Sequence, residues 1–498
     1  MIRYLKKNYS WIIIISFGLL YFLFLSNNPT SDSYSNAFSS ITKEELFRPH
    51  HLLYSAFGYL IYLPFQSTSI EPIRILQTVN VIFAMACFVV VRVILQRIHI
   101  KESLIASAIF FLGSCFGFQR FAIDNECYII PLFFTLLAIN FIQSFLINNK
   151  TYKVVLCALA CVIGCLFHQI VVFAWLCCFI VIIFNRRRKY FLYFFFISLI
   201  IPLTYSLVVY LQEGYLSIDS LMRFVLHDYI NSNAEMPILK NVLLLSSISF
   251  VRTFFQVHGY IGSLISIHPV IGYLIIAVSS IFFILGVIFL FKLIKRQLTL
   301  FNERRFVRFT WWLLIYNLAF AIFSNGNAEF MVIIPFLLVL LAAYYFENLR
   351  WSLFGFGFAM YAWNIFFALT PIGLLNLNNN EEIANLVQKE DAVFVLKDKV
   401  AVDNIVAYRQ RNQNISNTFK ISEVSPEQFD NWIKENKTIY TDYFGGKEVL
   451  SRANIAETKN NQIPSNSPII KNKYRFAPKY KFNSLGQEQE IWIYDFKK

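Results

Sequence analysis

Long apolar runs separated by short polar links fill the chain as far as about residue 375, and their lengths predict a membrane-spanning helical fold. Nine runs read as single crossings: Trp11–Leu25, Ile73–Leu95, Ser103–Phe118, Ile129–Ile147, Tyr190–Leu211, Val270–Leu293, Phe309–Phe323, Phe330–Tyr345 and Trp351–Leu375. A further stretch, Val154–Phe184, is 31 residues long. A single helix of that length would measure about 46 Å against a hydrocarbon core of about 30 Å. Both of its flanks are basic, Lys150/Lys153 and Arg186-Arg187-Arg188-Lys189, so an even number of crossings keeps both on one side. The favoured reading is two short helices meeting near Phe167-His168-Gln169, giving about eleven spans in all; the alternative, one long tilted helix, would invert everything downstream.

Two other apolar stretches, Leu52–Phe65 in the first outer loop and Val242–Phe255 in a later one, are too short to cross and read as interfacial helices. At Asn376 the chain turns polar. Residues 1–375 thus form a membrane domain and residues 376–498 a small mixed α/β domain. Within the latter, Ser425-Pro426-Glu427-Gln428 has the N-cap Ser, first-turn Pro and N3 Gln of a helix start. Ala392–Leu396, Thr438–Tyr443 and Glu490–Phe496 run apolar or alternate as strands do.

Composition agrees with this pattern. Of 498 residues 57% are hydrophobic and 15% charged, with 54 Phe and a mean hydropathy of +0.53. The net charge of +14 invites a nucleic-acid partner, but its distribution argues for none. The cations cluster in the links Arg3/Lys6/Lys7, Arg97/Lys101, Lys150/Lys153, Arg186 to Lys189 and Lys292 to Arg308. That is the signal that marks a cytoplasmic face. It puts the N-terminus in the cytoplasm and the C-terminal domain on the far side of a cytoplasmic (inner) membrane. The first span is followed by Phe24-Leu25-Ser26-Asn27-Asn28, without a small-residue cleavage site, and reads as a retained anchor. All eight cysteines lie in or beside apolar runs, so no disulfide framework is implied; Cys157, Cys161 and Cys165 recur on one helix face and read as close packing.

Against this background a few acids stand out. Asp32 follows the first span, and Asp124 and Glu126 follow the third, so all three emerge on the same outer face. Carboxylates at the mouth of a bilayer are costly to desolvate and tend to be functional, and these mark a site at the membrane boundary.

In order, the chain carries Asp32, then Arg48-Pro49-His50-His51-Leu52-Leu53-Tyr54, an interfacial helix, and Arg74 opening the second span. There follow Arg120-Phe121-Ala122-Ile123-Asp124, the short double span, and Asn325-Gly326-Asn327-Ala328-Glu329-Phe330 with Pro335. This succession, over residues 1–345, resembles the GT-C superfamily of glycosyltransferases, in the branch containing protein O-mannosyltransferases and the lipid A aminoarabinose transferase. The resemblance implies transfer of a sugar from a polyprenyl-phosphate donor to a lipid, protein or polysaccharide acceptor at the outer face, with inversion and no covalent enzyme intermediate. It departs from the family at Asp32-Ser33, where the usual pair is Asp-Glu, at His50-His51, commonly Pro-Pro, and at His168, often Lys. These differences bear on the substrate more than on the reaction class.

That chemistry needs a base, cations for the leaving phosphate and an apolar groove. Asp32 is the candidate base, on the expectation that partial burial raises its pKa. Asp124 and Glu126 are candidates to orient the acceptor, position Arg120 or hold a divalent cation. Arg48, Arg120 and Arg252 are candidate phosphate clamps, because guanidinium groups grip phosphate oxygens in pairs. His50, His51 and His168 are candidates for donor contacts, and Tyr54, Arg74 and Glu329 join the site through the resemblance. No residue is assigned as a metal ligand, since no His spacing supports a zinc site. A transporter or flippase of a lipid-linked saccharide would carry its ionisable groups nearer mid-bilayer, with paired broken helices. A non-catalytic envelope-glycan assembly protein would leave the acids dispensable.

Overall fold

The computed structural model describes residues 8–185, 187–230, 240–294, 304–346, 348–447, 466–485 and 487–497. The basic N-terminus, Arg186 and most of the Lys292–Arg308 link lie outside them, so those parts of the charge pattern have no structural counterpart here. From the N-terminus run α1 (Tyr9–Leu23), α2 (Ser31–Thr42), α3 (Tyr54–Tyr62), α4 (Pro72–Arg97), α5 (Glu102–Ser114), α6 (Phe116–Ala122), α7 (Ile129–Asn148) and α8 (Thr151–Phe167). After them come α9 (Val172–Ile183), α10 (Arg188–Ser198), α11 (Ile200–Glu213), α12 (Val242–Phe254), α13 (Pro269–Ile294), α14 (Arg304–Phe323), α15 (Ile334–Tyr345) and α16 (Arg350–Asn364). A π-helical stretch, Ile365–Leu369, carries α16 onward to Leu374. Among the described residues seven helical segments are long and apolar enough to cross a bilayer, or eight if the pair α5–α6, bent by 70°, counts as one. Long apolar faces on α10, α11 and α13 remain exposed to the surroundings, which only lipid can cover at low cost. The protein is an integral membrane protein.

The long run Val154–Phe184 does break in two. His168 adopts an extended conformation (φ −159°, ψ 129°) that no helix tolerates, and a single 3-10 turn, Gln169–Val171, leads into α9. The far ends meet again: Asn185 Nδ2 lies 3.4 Å from Asn149 Oδ1, and Tyr190 OH donates to Asn149 O at 2.6 Å. The two helices are a hairpin with His168 at its tip.

Opposite that tip, polar side chains lock the helix ends. Arg92 donates to Ser10 Oγ (2.8 Å) and Asn8 Oδ1 (3.0 Å), tying α4 to α1, while Arg97 reaches Asn140 O (3.0 Å) on α7. Lipid supplies little drive for apolar faces to associate, so bonds of this kind and close packing hold such bundles together.

The segment carrying Asp32, expected as loop, is the helix α2. Thr30 caps it, its Oγ1 accepting from Ser33 N at 3.1 Å, and Lys43 ends it in the left-handed region (φ 67°). Small polar residues give α2 low apolar content, which is why its periodicity does not announce a helix. Its apolar side is completed by the C-terminal part of the chain. There α17 (Asn380–Lys389), β1 (Val393–Val395), α18 (Lys399–Gln410), β2 (Thr418–Phe419), α19 (Pro426–Lys434), β3 (Ile439–Thr441), β4 (Phe476–Ser484) and β5 (Gln487–Tyr494) build one sheet in the order β2-β1-β3-β5-β4. The first three strands are parallel; β5 is antiparallel to β3 and to β4. The expected strands are β1, β3 and β5, and Ser425 caps α19 through Gln428 N (3.2 Å) as its sequence predicts. Strand β4 escapes sequence reading because Pro478 interrupts its alternation, and the structure places a bulge there.

Tyr34, Ala37 and Phe38 of α2 share a core with Ile383, Val402, Val406 and Tyr408. Asn404 Nδ2 donates to Ser31 Oγ at 2.8 Å, beside Asp32.

The hairpin can be tested directly. With Asn149→Cys and Asn185→Cys introduced together, a short bifunctional thiol reagent should cross-link the two positions. One straight helix through the 36-residue separation would hold them about 54 Å apart. Absence of an intramolecular cross-link in inserted protein would refute the hairpin.

Candidate active site

Three loop segments converge where α2 begins, and a fully buried carboxylate joins them. Asp124, in the turn between α6 and α7, has no exposure, and Arg120 one turn earlier pairs with its Oδ2 at 2.8 Å. Oδ2 also accepts from Thr30 N (3.3 Å), while Oδ1 accepts from Ser33 Oγ (2.9 Å), Asn125 N (2.8 Å) and Gln77 Nε2 (3.4 Å). Five donors surround two oxygens. Asp124 is therefore committed to holding the first outer loop, the second and the head of α4 together, and has no lone pair to offer a substrate.

Glu126 is two residues on and nearly as deep, at 2% exposure. Thr30 Oγ1 donates to its Oε1, and Oε2 is buried without a partner. Burial first, then the charges of Asp32, Glu329 and Asp124, push its carboxyl well above the usual range, with the Thr30 bond opposing. The neutral form of Glu126 is thereby favoured. Asp32 sits in the first turn of α2, close enough for its charge to act on Glu126, but it is exposed. The partial burial expected of it is not found. Asn80 Nδ2 fixes the turn by donating to the carbonyls of Asp124 (2.6 Å) and Glu126 (2.8 Å), and Tyr54 OH donates to Asn125 Oδ1 (2.9 Å).

Cationic groups lie on both sides. On one, Arg48 Nη2 donates to Ser35 Oγ (2.8 Å) and Ser39 Oγ (3.0 Å) along α2 and pairs with Glu45 at 3.0 Å. Its charge acts on His51, whose ring lies between those of His50 and His168, with centroids 4.6 Å from each. Burial and neighbouring positive charge hold His51 well below the ordinary imidazole range, and burial, with His50, lowers His168 to about 3. Both rings are neutral at physiological pH. On the other side, Arg252 of α12 stacks over the Phe116 ring at 5.7 Å, and Arg252 and Arg120 both act on Tyr260. Arg74, a candidate contact, instead braces the first loop by donating to Ser26 O (3.1 Å) and Asn27.

Glu329, in the late outer turn, accepts from Tyr128 OH at 2.5 Å and Asn327 Nδ2 at 3.1 Å. Tyr128 and Glu329 line a small, mostly apolar cleft whose walls also include Leu132, Val171, Ala174 and Ile333. Gln77 and Asn80, absent from the sequence-based candidates, were open to detection: two amides three apart in an apolar span mark a buried polar face. Thr30 and Ser33 carry no such signal.

Two substitutions separate anchoring from titration. Asp124→Asn leaves Arg120 without its counter-charge and should cost about 3–5 kcal/mol, the usual penalty for breaking a buried pair, read as loss of thermal stability in detergent. Glu126→Gln should fold well, because it imitates the neutral carboxyl. A carboxyl whose folded pKa is raised contributes stability that is complete below its unfolded pKa of about 4.3 and declines as pH climbs through the raised folded value. Wild type should lose stability over that window and Glu126→Gln should lose less; identical pH profiles would show that Glu126 is not held neutral.

No protein-family model matches the sequence, and no curated protein does. Among solved structures, ArnT from Cupriavidus metallidurans bound to undecaprenyl phosphate aligns with a TM-score of 0.54 over 97% of this chain and 98% of that one, at 9% identity. The apo state of the same protein gives 0.44 over 97% of each chain at 8% identity. The Archaeoglobus fulgidus oligosaccharyltransferase in complex with Zn and sulfate gives 0.41 over 86% of this chain and 68% of that one, at 10% identity. The chain has the fold of ArnT over nearly its whole length.

Proposed function

We propose that this protein is an integral-membrane glycosyltransferase that moves one sugar from a polyprenyl-phosphate donor to an acceptor hydroxyl at the outer face of the membrane. The observation that carries the reading is the gathering of Asp32, Asp124 and Glu126 between two sets of cationic side chains, on a fold shared with ArnT. That relative was crystallised with undecaprenyl phosphate, which suits a lipid-phosphate donor here. The apolar cleft below Tyr128 and Glu329 has the character a prenyl chain requires.

In this reading the eight longer spans and the three shorter helices α1, α8 and α9 make eleven crossings, with α3 and α12 at the interface. Residues 1–375 are the catalytic membrane domain, and residues 376–498 form an extracytoplasmic domain of a cytoplasmic-membrane enzyme whose N-terminus is cytoplasmic. The acceptor oxygen attacks the anomeric carbon as the bond from that carbon to the phosphate oxygen breaks. The electron pair leaves with the polyprenyl phosphate, and Asp32 takes the acceptor's proton. Asp32 suits the base because it is the accessible acid of the group, while Asp124 is saturated and Glu126 neutral. Arg252, Arg120 and Arg48 are placed to meet the phosphate, and Glu126 in its neutral form donates a hydrogen bond without repelling that anion. A divalent cation between Asp32 and Glu126 would serve the same end. His50, His51 and His168 border the donor side. The acceptor, whether lipid, protein or polysaccharide, shows as the glycan fraction that disappears when the gene is removed.

Asp32→Asn keeps the size of the side chain and leaves the Thr30 cap of α2 untouched but cannot accept the proton. Turnover should fall about 10²–10⁴-fold, the usual contribution of a general base, while thermal stability stays at the wild-type value. A correctly inserted Asp32→Asn protein with near wild-type turnover would remove Asp32 from this role.

A further inference from the structure

Beside the acid cluster, the fold collects a second set of ligand-type side chains. Cys127 Sγ and one ring nitrogen from each of His51 and His168 lie within 4.8 Å of one another. His51 Nε2 is 3.4 Å from the sulfur, and the two imidazoles meet at a steep angle with centroids 4.6 Å apart. Three separate segments supply them: the turn before α3, the turn between α6 and α7, and the tip of the α8–α9 hairpin. The backbone on which the three side chains stand is held by the surrounding framework. Asn80 clamps the acid turn next to Cys127, Gln169 N donates to His50 O (3.2 Å) beside His51, and His168 closes the hairpin.

We propose that His51, Cys127 and His168 bind one borderline-soft divalent cation, zinc being the first choice, and leave its fourth coordination position open. The donor set is two imidazoles and a thiolate, which suits zinc and not magnesium or calcium, whose ligands are oxygens. Around a tetrahedral zinc, bonds of about 2.0–2.3 Å put neighbouring donor atoms roughly 3.3–3.7 Å apart. The His51–Cys127 contact already has that spacing, and the longest side of the triangle need close by only about 1 Å. A second observation points the same way. His51 Nδ1 and Glu126 Oε2 are buried polar atoms without a hydrogen-bond partner, one on a ligand ring and the other on the residue next to Cys127. A cation with water on its open position brings a donor within reach of that carboxyl.

On binding, the Cys127 thiol gives its proton to solvent and the sulfur lone pair forms the metal bond. Ile170 N–H donates to His168 Nδ1 at 3.1 Å, and this one bond is released as the ring turns toward the ion. The inference is independent of the reaction proposed above, because it is read from metal binding alone.

The test uses the full-length protein in nanodiscs, stripped with a chelator and titrated with Co²⁺ as the probe. A second set of thiols, Cys157, Cys161 and Cys178, lies buried in the hairpin and is the internal control. The expected result is a sulfur-to-cobalt charge-transfer band with the visible bands of a tetrahedral ion, bleached by Zn²⁺ at one equivalent. The band should vanish in Cys127→Ser and persist in Cys161→Ser, and His51→Ala should weaken Zn²⁺ affinity by more than about tenfold. Thermal stabilisation by Zn²⁺ in wild type, absent from a folded Cys127→Ser, gives a readout that does not depend on the spectrum. A folded wild type that shows no such band, or a band that survives Cys127→Ser and is lost in Cys161→Ser, overturns the proposal.

Discussion

The site depends on the ion pair between Arg120 and Asp124. A carboxylate with no exposure can persist as an anion only if its desolvation is offset, and here a guanidinium and four further donors do so. Those donors come from the residues just before and within α2, from α4 and from the turn itself. Arg120 also reaches Ser26 Oγ (3.2 Å) and Asn28 O (3.3 Å), and Asn28 in turn bonds Ile372 O (2.9 Å) and Leu377 N (2.8 Å). Through one buried charge the first loop, the second loop and the end of the last helix acquire a common frame. An apolar anchor could not impose the same geometry, because apolar contacts are not directional.

That frame also divides the roles of three neighbouring acids. Asp124 has both carboxyl oxygens engaged in structure. Glu126, equally deep but given a single hydroxyl donor, is pushed toward the neutral form by burial and by the charges around it. Asp32, on the exposed side of the first turn of α2, keeps contact with water. Three neighbouring carboxyl groups thus sit in three environments, one buried and fully bonded, one buried with a single hydroxyl donor, and one exposed.

Much of this was legible in the sequence, for reasons that can be stated. Span lengths located the long apolar helices, and length taken together with the basic flanks favoured the break at His168. The acids were legible because charge at a bilayer edge is expensive and so rarely incidental. Asp32 was misjudged in burial, since exposure depends on which face of α2 meets the C-terminal helices, and α2 itself has too few apolar residues to show a period. The cluster of His51, Cys127 and His168 was invisible for a different reason. Its members are 76 and 41 positions apart, so no spacing rule connects them, and only the hairpin turn brings the third to the other two.

The packing of α2 gives the C-terminal part of the chain a consequence for the site. Tyr34 and Phe38 are almost fully buried against α17 and α18, and each such side chain contributes about 1.5–3 kcal/mol when removed from water. Tyr34 OH also bonds Glu381, which pairs with Arg409. On the opposite side Ser33, one residue from Asp32, is held by Asp124. Helix α2 is thus gripped by the buried charge on one face and by an aqueous-type core on the other, with Asp32 at the margin between them. A twelve-residue helix built largely of small polar residues has little stability of its own. Its order, and with it the placement of Asp32, therefore derives from both parts of the chain, and the orientation of the accessible carboxylate is a property of their contact and not of either part alone.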